Sequence, residues 1–223
     1  MGINYSPKIV TNGLVLCLDA GNPLSYPPGS GTVWTDLSGN GNNGTLTNGP
    51  TYSSANRGSI VFDGADDYVD CGNSSSLQIT VGTISVWFNA TNANSGYNGI
   101  IAKQYAWSLF ILNNVLITYD WGGNSNRSTS ITVGNSTWNY AAMTFTETIG
   151  TPSNNAIIYL NGLSVLTTTV KHSFNNQPVY IGNTALSSQY ITGRIASASV
   201  YNRVLSSSEI LQNYNATKGR FNL

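Results

Sequence analysis

The sequence predicts an all-β protein, an antiparallel sandwich of two sheets with one short C-terminal helix. Three observations predict it. Short runs rich in Val, Ile, Leu and aromatic residues recur along the chain, each ending in a Gly, Asn, Asp or Pro cluster. Asn-Asn and Asn-Gly dipeptides separate two pairs of such runs at the spacing of tight hairpins. Helix signals gather in one place only, near the carboxyl end.

The elements follow in order. Gly13–Asp19 is an apolar run that stops at Ala20-Gly21-Asn22-Pro23. Ser59–Phe62 ends at Asp63-Gly64, and Tyr68–Cys71 follows. Gly82–Phe88 alternates, so Ile84, Val86 and Phe88 share one face while Thr83, Ser85 and Trp87 share the other. A tryptophan on that second face implies burial on both sides. Gly99–Ala102, Trp107–Leu112 and Val115–Tyr119 continue the pattern, the last two joined by Asn113-Asn114. Asn161-Gly162 lies between Ala156–Leu160 and Leu163–Leu166 and favours a type I′ turn, in which both central residues take positive φ. Pro178–Gly182 and Gly193–Tyr201 supply the last strands. From Leu205 to Tyr214 the chain reads as a helix. Ser206 and Glu209 have capping-box spacing, Leu205 and Ile210 make a hydrophobic staple, and Lys218 and Arg220 follow its negative end.

The chain has 223 residues, a size common for one all-β domain and sufficient for a substantial core. No repeat or linker divides it. Residues 1–12 precede the first strand and read as an N-terminal arm, with the sandwich spanning 13–223. Nine basic and nine acidic residues cancel, and charged residues make up 8% against about 25% in ordinary soluble proteins. A neutral surface argues against nucleic acid as a partner. No apolar run is long enough to cross a membrane, so membrane insertion is not expected. The first residues lack the apolar core of a secretory signal, so no signal peptide is expected. Cys17 and Cys71 then read as two buried reduced thiols rather than a disulfide.

The titratable residues restrict the chemistry further. His172 is the one histidine, which excludes paired-histidine zinc sites, and no Gly-x-Ser-x-Gly elbow accompanies it for a triad. Glycoside hydrolysis needs two carboxyl groups roughly 5–9.5 Å apart. The two glutamates are Glu147, with no acid at 143, 145 or 149, and Glu209, which the helix cap uses. Asp66 and Asp67 are adjacent and, if extended, point to opposite sides. The expectation is a non-enzymatic protein. Loop aromatics offer sugar-stacking surface instead, with Trp34, Tyr105, Trp107 and Trp121 as candidates. Trp121 stands out because it sits in Tyr119-Asp120-Trp121-Gly122-Gly123-Asn124, a loop sequence with polar neighbours. Trp87 and Trp138 lie in strand sequences and read as core.

Asp36-Leu37-Ser38-Gly39-Asn40-Gly41-Asn42-Asn43-Gly44 resembles the opening of LamG-like jelly rolls of the concanavalin A-like lectin/glucanase superfamily. Further blocks follow in that family's order: Ser59–Val69 around Phe62-Asp63-Gly64, Thr83–Phe88, Thr137–Phe145, Ile158–Gly162, Tyr180–Gly182, and Gly193–Ile195 with Tyr201–Ile210. The resemblance covers residue 13 to about 215 and implies a jelly-roll fold. Two positions depart from it. Trp138-Asn139-Tyr140 replaces a Trp-His-His, and Ile195-Ala196-Ser197 lacks the family's carboxylate. In related jelly rolls an acid near that strand helps hold a structural calcium, so no cofactor is expected. Asp36, Asp66 and Asp67 remain as the loop oxygens a calcium ion would use, but they lack the ligand run that a site of 6–8 oxygens requires.

Residues 13–22 and 209–221 are similar to LamG-type structural proteins of tailed bacteriophages. That resemblance implies a virion surface protein, of capsid decoration or tail-fibre type, made in the host cytoplasm. Its partners would be other virion proteins, with host-surface glycans as a further target. A free carbohydrate-binding module is the alternative.

Overall fold

The computed structural model describes residues 7–28, 31–91, 96–146, 153–171, 175–184 and 188–223. Its strands are β1 (Leu14–Asp19), β2 (Val33–Trp34), β3 (Gly44–Thr47), β4 (Thr51–Ser53), β5 (Ser59–Asp63), β6 (Tyr68–Asp70), β7 (Gly82–Ala90) and β8 (Tyr97–Lys103). They continue with β9 (Trp107–Leu112), β10 (Val115–Asp120), β11 (Ser125–Thr132), β12 (Asn139–Phe145), β13 (Ala156–Leu160), β14 (Leu163–Thr168), β15 (Val179–Ile181) and β16 (Thr192–Tyr201). One α-helix, α1 (Ser207–Thr217), runs into a 3-10 turn over Lys218–Phe221.

The strands form two antiparallel sheets of eight. The first has the order β14-β13-β12-β7-β16-β5-β4, with β1 also paired to β16. The second has the order β11-β10-β9-β8-β15-β6-β3-β2. Period-two alternation puts one face of each sheet into a shared core. Ile84, Val86 and Phe88 of β7 meet Leu109, Ile111 and Leu116 of the second sheet in one continuous buried cluster. The arrangement is a jelly-roll sandwich, as the sequence predicts.

The first sheet is buried on its outer face too. Trp87 points out of β7 and is covered by α1 and the last turn. Its ring lies 4.3 Å from Phe221 and 5.7 Å from Tyr214, and its indole N–H donates to Thr217 Oγ1 at 2.7 Å. This is the two-sided burial that the position of Trp87 implied. The capping box forms as expected between Ser206 and Glu209, and Arg203 joins it by an ion pair of 2.5 Å. The Arg203 guanidinium and the Ser206 N–H hold the Glu209 carboxyl down at about 2. Arg220, beyond the helix, pairs with Asp19 at 2.6 Å and donates to the Gly58 carbonyl at 3.0 Å, tying the carboxyl end to β1.

Both hairpin dipeptides adopt the left-handed region. φ is 50° and 66° at Asn113-Asn114, and 51° and 84° at Asn161-Gly162. Gly162 has a second reason to be glycine, since a Cβ there would lie 2.9 Å from Leu211 of the helix. Cys17 and Cys71 are buried free thiols. Burial, with Asp19 nearby, pushes the Cys17 thiol up to about 12, and burial raises Cys71 as well.

Of residues 1–12, expected as an N-terminal arm, the structure describes the part from Pro7 onward. From Lys8 onward it is strapped to the domain. Val10 N–H donates to Asn213 Oδ1 at 2.8 Å, and Tyr201 Oη donates to the Val10 carbonyl at 2.9 Å. The Lys8 and Asn12 carbonyls accept from Gln212 and Arg203. Side chains of Tyr201, Arg203, Gln212 and Asn213 thus supply both donors and an acceptor to the segment's backbone. Residues 1–6 lie outside the described residues.

Candidate functional site

The outer face of the second sheet carries the aromatic surface. On β9, Leu109 and Ile111 point into the core, so Phe110 and Leu112 point outward. On β10 the same parity puts Val115, Ile117 and Tyr119 outward, and it continues to Trp121. Phe110, Ile117 and Ala102 make a buried floor, with Tyr97, Tyr119 and Trp121 packed against it.

A cleft of about 280 Å³ opens on this floor. Trp121 is central to its wall. Its ring lies 5.5 Å from Tyr119, 6.2 Å from Phe110 and 6.4 Å from Tyr105, each at a steep angle. Tyr97 meets Phe110 and Tyr119 edge-on at 5.9 and 6.0 Å. Edge-to-face packing fixes these rings against one another and leaves their other surfaces to a ligand. Tyr105 is 47% exposed and has φ of 67°, a strained setting for a bulky residue, in the turn between β8 and β9. Gln104, Asn124 and Gln189 supply the polar lining.

The loop after β10 is held from below by Asp120, which is fully buried. One carboxylate oxygen accepts from the N–H groups of Gly123 at 3.0 Å and Lys171 at 2.9 Å, and the other accepts from Arg127 at 2.6 Å. Burial by itself would raise this carboxyl. The Lys171 and Gly123 donors and the Arg127 guanidinium outweigh it and hold the group below the usual carboxylate range. Gly123 must be glycine here, because a Cβ would lie 2.3 Å from Asp120 Oδ2. Above the loop, Tyr119 Oη donates to Asn124 Oδ1 at 2.5 Å.

The structure brings together two of the four aromatic candidates, Tyr105 and Trp121. Trp34 and Trp107 are 0% and 1% exposed and belong to the core between the sheets, which corrects their assignment as sugar-stacking residues. Trp107 shares the inward parity of Leu109 and stacks 6.3 Å from Phe145, while Trp34 fills the end of the sandwich from β2. Sequence reasoning missed Tyr97, Phe110, Tyr119 and the three amides. The signal for Phe110 and Tyr119 was present, since counting back from Trp121 by twos reaches Tyr119, and Phe110 lies opposite the inward Leu109.

The carboxylates separate. Asp36 is a loop organiser: Oδ1 accepts from the N–H groups of Cys17 at 2.8 Å and Ser38 at 2.9 Å, and Oδ2 accepts from Asn42 N–H and the Ser38 hydroxyl. It does not join Asp66 and Asp67, whose partner is Asp63; one oxygen from each of these three lies within 4.8 Å of the others. Asp67 is buried and accepts from Asp63 N–H at 3.0 Å. His172 and Glu147 lie outside the described residues, and Glu209 is committed to the helix cap and Arg203.

A family model described as the concanavalin A-like lectin/glucanases superfamily matches residues 63–211, well over half of the chain. The chain belongs to this superfamily. No curated protein matches it in sequence. Among solved structures, the superfamily sandwich of this chain is similar to the binding domain of Paraclostridial Mosquitocidal Protein 1, with a TM-score of 0.72 and 17% identity over 92% of this chain. It is similar to domain 4 of AbnA, a GH43 extracellular arabinanase from Geobacillus stearothermophilus in complex with arabinotriose, with a TM-score of 0.66 and 15% identity over 90% of this chain and 98% of that one. Trypanosoma rangeli sialidase in complex with sialic acid gives 0.70 and 12% over 93% of this chain. The chain spans about half of the mosquitocidal binding domain (52%) and a third of the sialidase (33%). At these identities the likeness is one of fold, and it is the lectin-like sandwich fold seen in binding domains.

Proposed function

We propose that the protein is a non-catalytic glycan-binding module whose site is the cleft around Trp121 and Tyr105. The observation that carries this reading is the conjunction of aromatic rings and carboxamides in one open cleft. Sugar rings present C–H faces that stack on aromatics and hydroxyls that pair with amides, so such a lining suits them. The fold supports it, since AbnA domain 4, in complex with arabinotriose, is built on the same sandwich. Catalysis has no support in the cleft, where the described lining holds no carboxylate.

The proposed setting is the surface of a tailed phage particle, as a decoration or tail-fibre protein made in the host cytoplasm. There it would contact other virion proteins and attach to host-surface glycans. Its support is the resemblance of residues 13–22 and 209–221 to phage structural proteins.

A glycan array probed with the wild type and Trp121→Ala tests the binding reading. The expected result is selective binding by the wild type and its loss in the variant at nearly unchanged Tm. Identical wild-type and variant profiles overturn it. Co-sedimentation with purified particles tests the setting, and absence from the particles removes it.

A further inference from the structure

Among the described residues, the aromatic cleft is lined by polar but uncharged side chains. Its described polar side chains are the carboxamides of Gln104, Asn124 and Gln189 and the tyrosine hydroxyls. The basic groups fixed nearby are already used: Arg127 Nη2 donates to Asp120 and its Nε to the Thr169 carbonyl at 2.9 Å, and Lys103, beside Gln104, is buried with its Nζ donating to Asn73 and the Gln177 carbonyl. Sequence extends the same pattern to the flanking segments. Residues 90–102, which lead into and form most of β8, contain no Asp, Glu, Lys or Arg, and neither do residues 175–193, which include Gln189.

The amides are also oriented. Asn124 Oδ1 accepts from Tyr119 Oη, and Gln189 Oε1 accepts from Thr184 Oγ1. Asn124 and Gln189 therefore have their carbonyls engaged within the protein and present their NH₂ groups as neutral donors, while the phenol oxygens remain as acceptors. Sugar hydroxyls both donate and accept, so they match this set. A carboxylate or sulfate would leave water for an aromatic surface with only neutral donors. Its desolvation cost is then not repaid, because buried anions require a cation, most often a bidentate arginine.

We infer that this cleft selects uncharged sugars and rejects acidic ones, with room for a terminal residue or a disaccharide rather than a long chain. A volume of about 280 Å³ lies at the small end of ligand pockets, which sets that size. The inference rests on the glycan-binding reading and adds the substrate class to it.

The test is titration calorimetry and array binding with paired probes: neutral oligosaccharides, including arabinotriose and N-acetyllactosamine, against oligogalacturonate, sialyl-N-acetyllactosamine and sulfated N-acetyllactosamine. The expected result is that neutral members bind and acidic partners bind at least about tenfold more weakly. Gln189→Arg, which places a guanidinium at the rim, narrows that gap by strengthening the acidic member. Acidic glycans binding as tightly as their neutral partners, with Trp121→Ala abolishing both, overturn the selectivity and leave the glycan-binding reading standing. No binding of any probe by a folded wild type overturns both.

Discussion

Asp120 and Arg127 form an ion pair of 2.6 Å at the base of the loop that presents Trp121, and the aspartate is the more buried member. The pair joins β10 to β11, and the second carboxylate oxygen holds Gly123 and Lys171. Asp120→Asn keeps the shape and removes the charge, so three charge-assisted bonds weaken together. The expected cost is about 2 kcal/mol at neutral pH. The folded-state carboxyl is held low, so its stabilisation is present above the ordinary aspartate range and is lost as pH falls through the depressed value. Wild type and variant should therefore differ in Tm at pH 7 and converge near the acid limit. A Tm gap that does not change with pH would remove the charge from this account. As a positioning residue, Asp120 should also affect glycan binding, with Asp120→Asn weakening it while Trp121 is intact.

The two tryptophans on either side of the β9–β10 hairpin should behave oppositely. Trp107 is in the core and its deletion leaves a cavity, so Trp107→Ala should cost about 3–5 kcal/mol in urea unfolding. Trp121 is half-buried on the outer face, and Trp121→Ala should cost under about 1.5 kcal/mol, the scale of its ring contacts. Equal losses at the two positions would place Trp121 in the structural core.

Most of the sandwich was legible because strand periodicity and turn chemistry act locally. Asn113-Asn114 and Asn161-Gly162 name their turns, and Ser206 with Glu209 names the start of α1. The cleft was only half legible for a different reason. Trp34, Trp107 and Trp121 look alike in composition, and what separates them is strand parity relative to a core that the sequence does not display. Tyr105 and Trp121 were visible because they fall in loops. Gln104, Asn124 and Gln189 were not, since amides are abundant in this chain and only the meeting of distant loops distinguishes these three. The ties of residues 8–12 to the domain were not legible, because they run through backbone groups whose partners, Tyr201, Arg203, Gln212 and Asn213, leave no mark in local sequence.

The thiols give a third prediction. Cys17 and Cys71 are buried with raised pKa values, so the thiolate that reacts with disulfide reagents is scarce in the native state. Native protein at pH 8 should show no thiol reaction, and both should react in denaturant. Reductant should leave Tm unchanged. A raised thiol value also means that stability is complete below the unfolded cysteine range and declines as pH rises above roughly 8.5. Rapid labelling of the folded protein would contradict the burial of both residues.

Asp67 presents the opposite electrostatics to Asp120. Burial raises its carboxyl; the Asp63 N–H opposes this, and the charges of Asp63 and Asp66 add to it. A raised carboxyl favours folding while protonated, so its contribution is fully present below the unfolded aspartate range and is lost as pH rises through the folded value. At neutral pH the ionised Asp67 is therefore a cost. Asp67→Asn keeps an oxygen for the Asp63 N–H and removes the repulsion. It should raise stability at pH 7 by a few tenths to about 1 kcal/mol, the scale of near-surface charge pairs. The gap should close as pH falls below the ordinary aspartate range, where Asp67 is protonated in both the folded and the unfolded wild type. A bound cation would reverse the sign, because it would offset the mutual repulsion of the three carboxylates, whose oxygens lie within 4.8 Å of one another. Melting in EDTA and in millimolar calcium separates the two. Equal wild-type Tm values with a stabilised Asp67→Asn are the expected result. A calcium-dependent rise that Asp67→Asn abolishes would instead make the cluster a metal site.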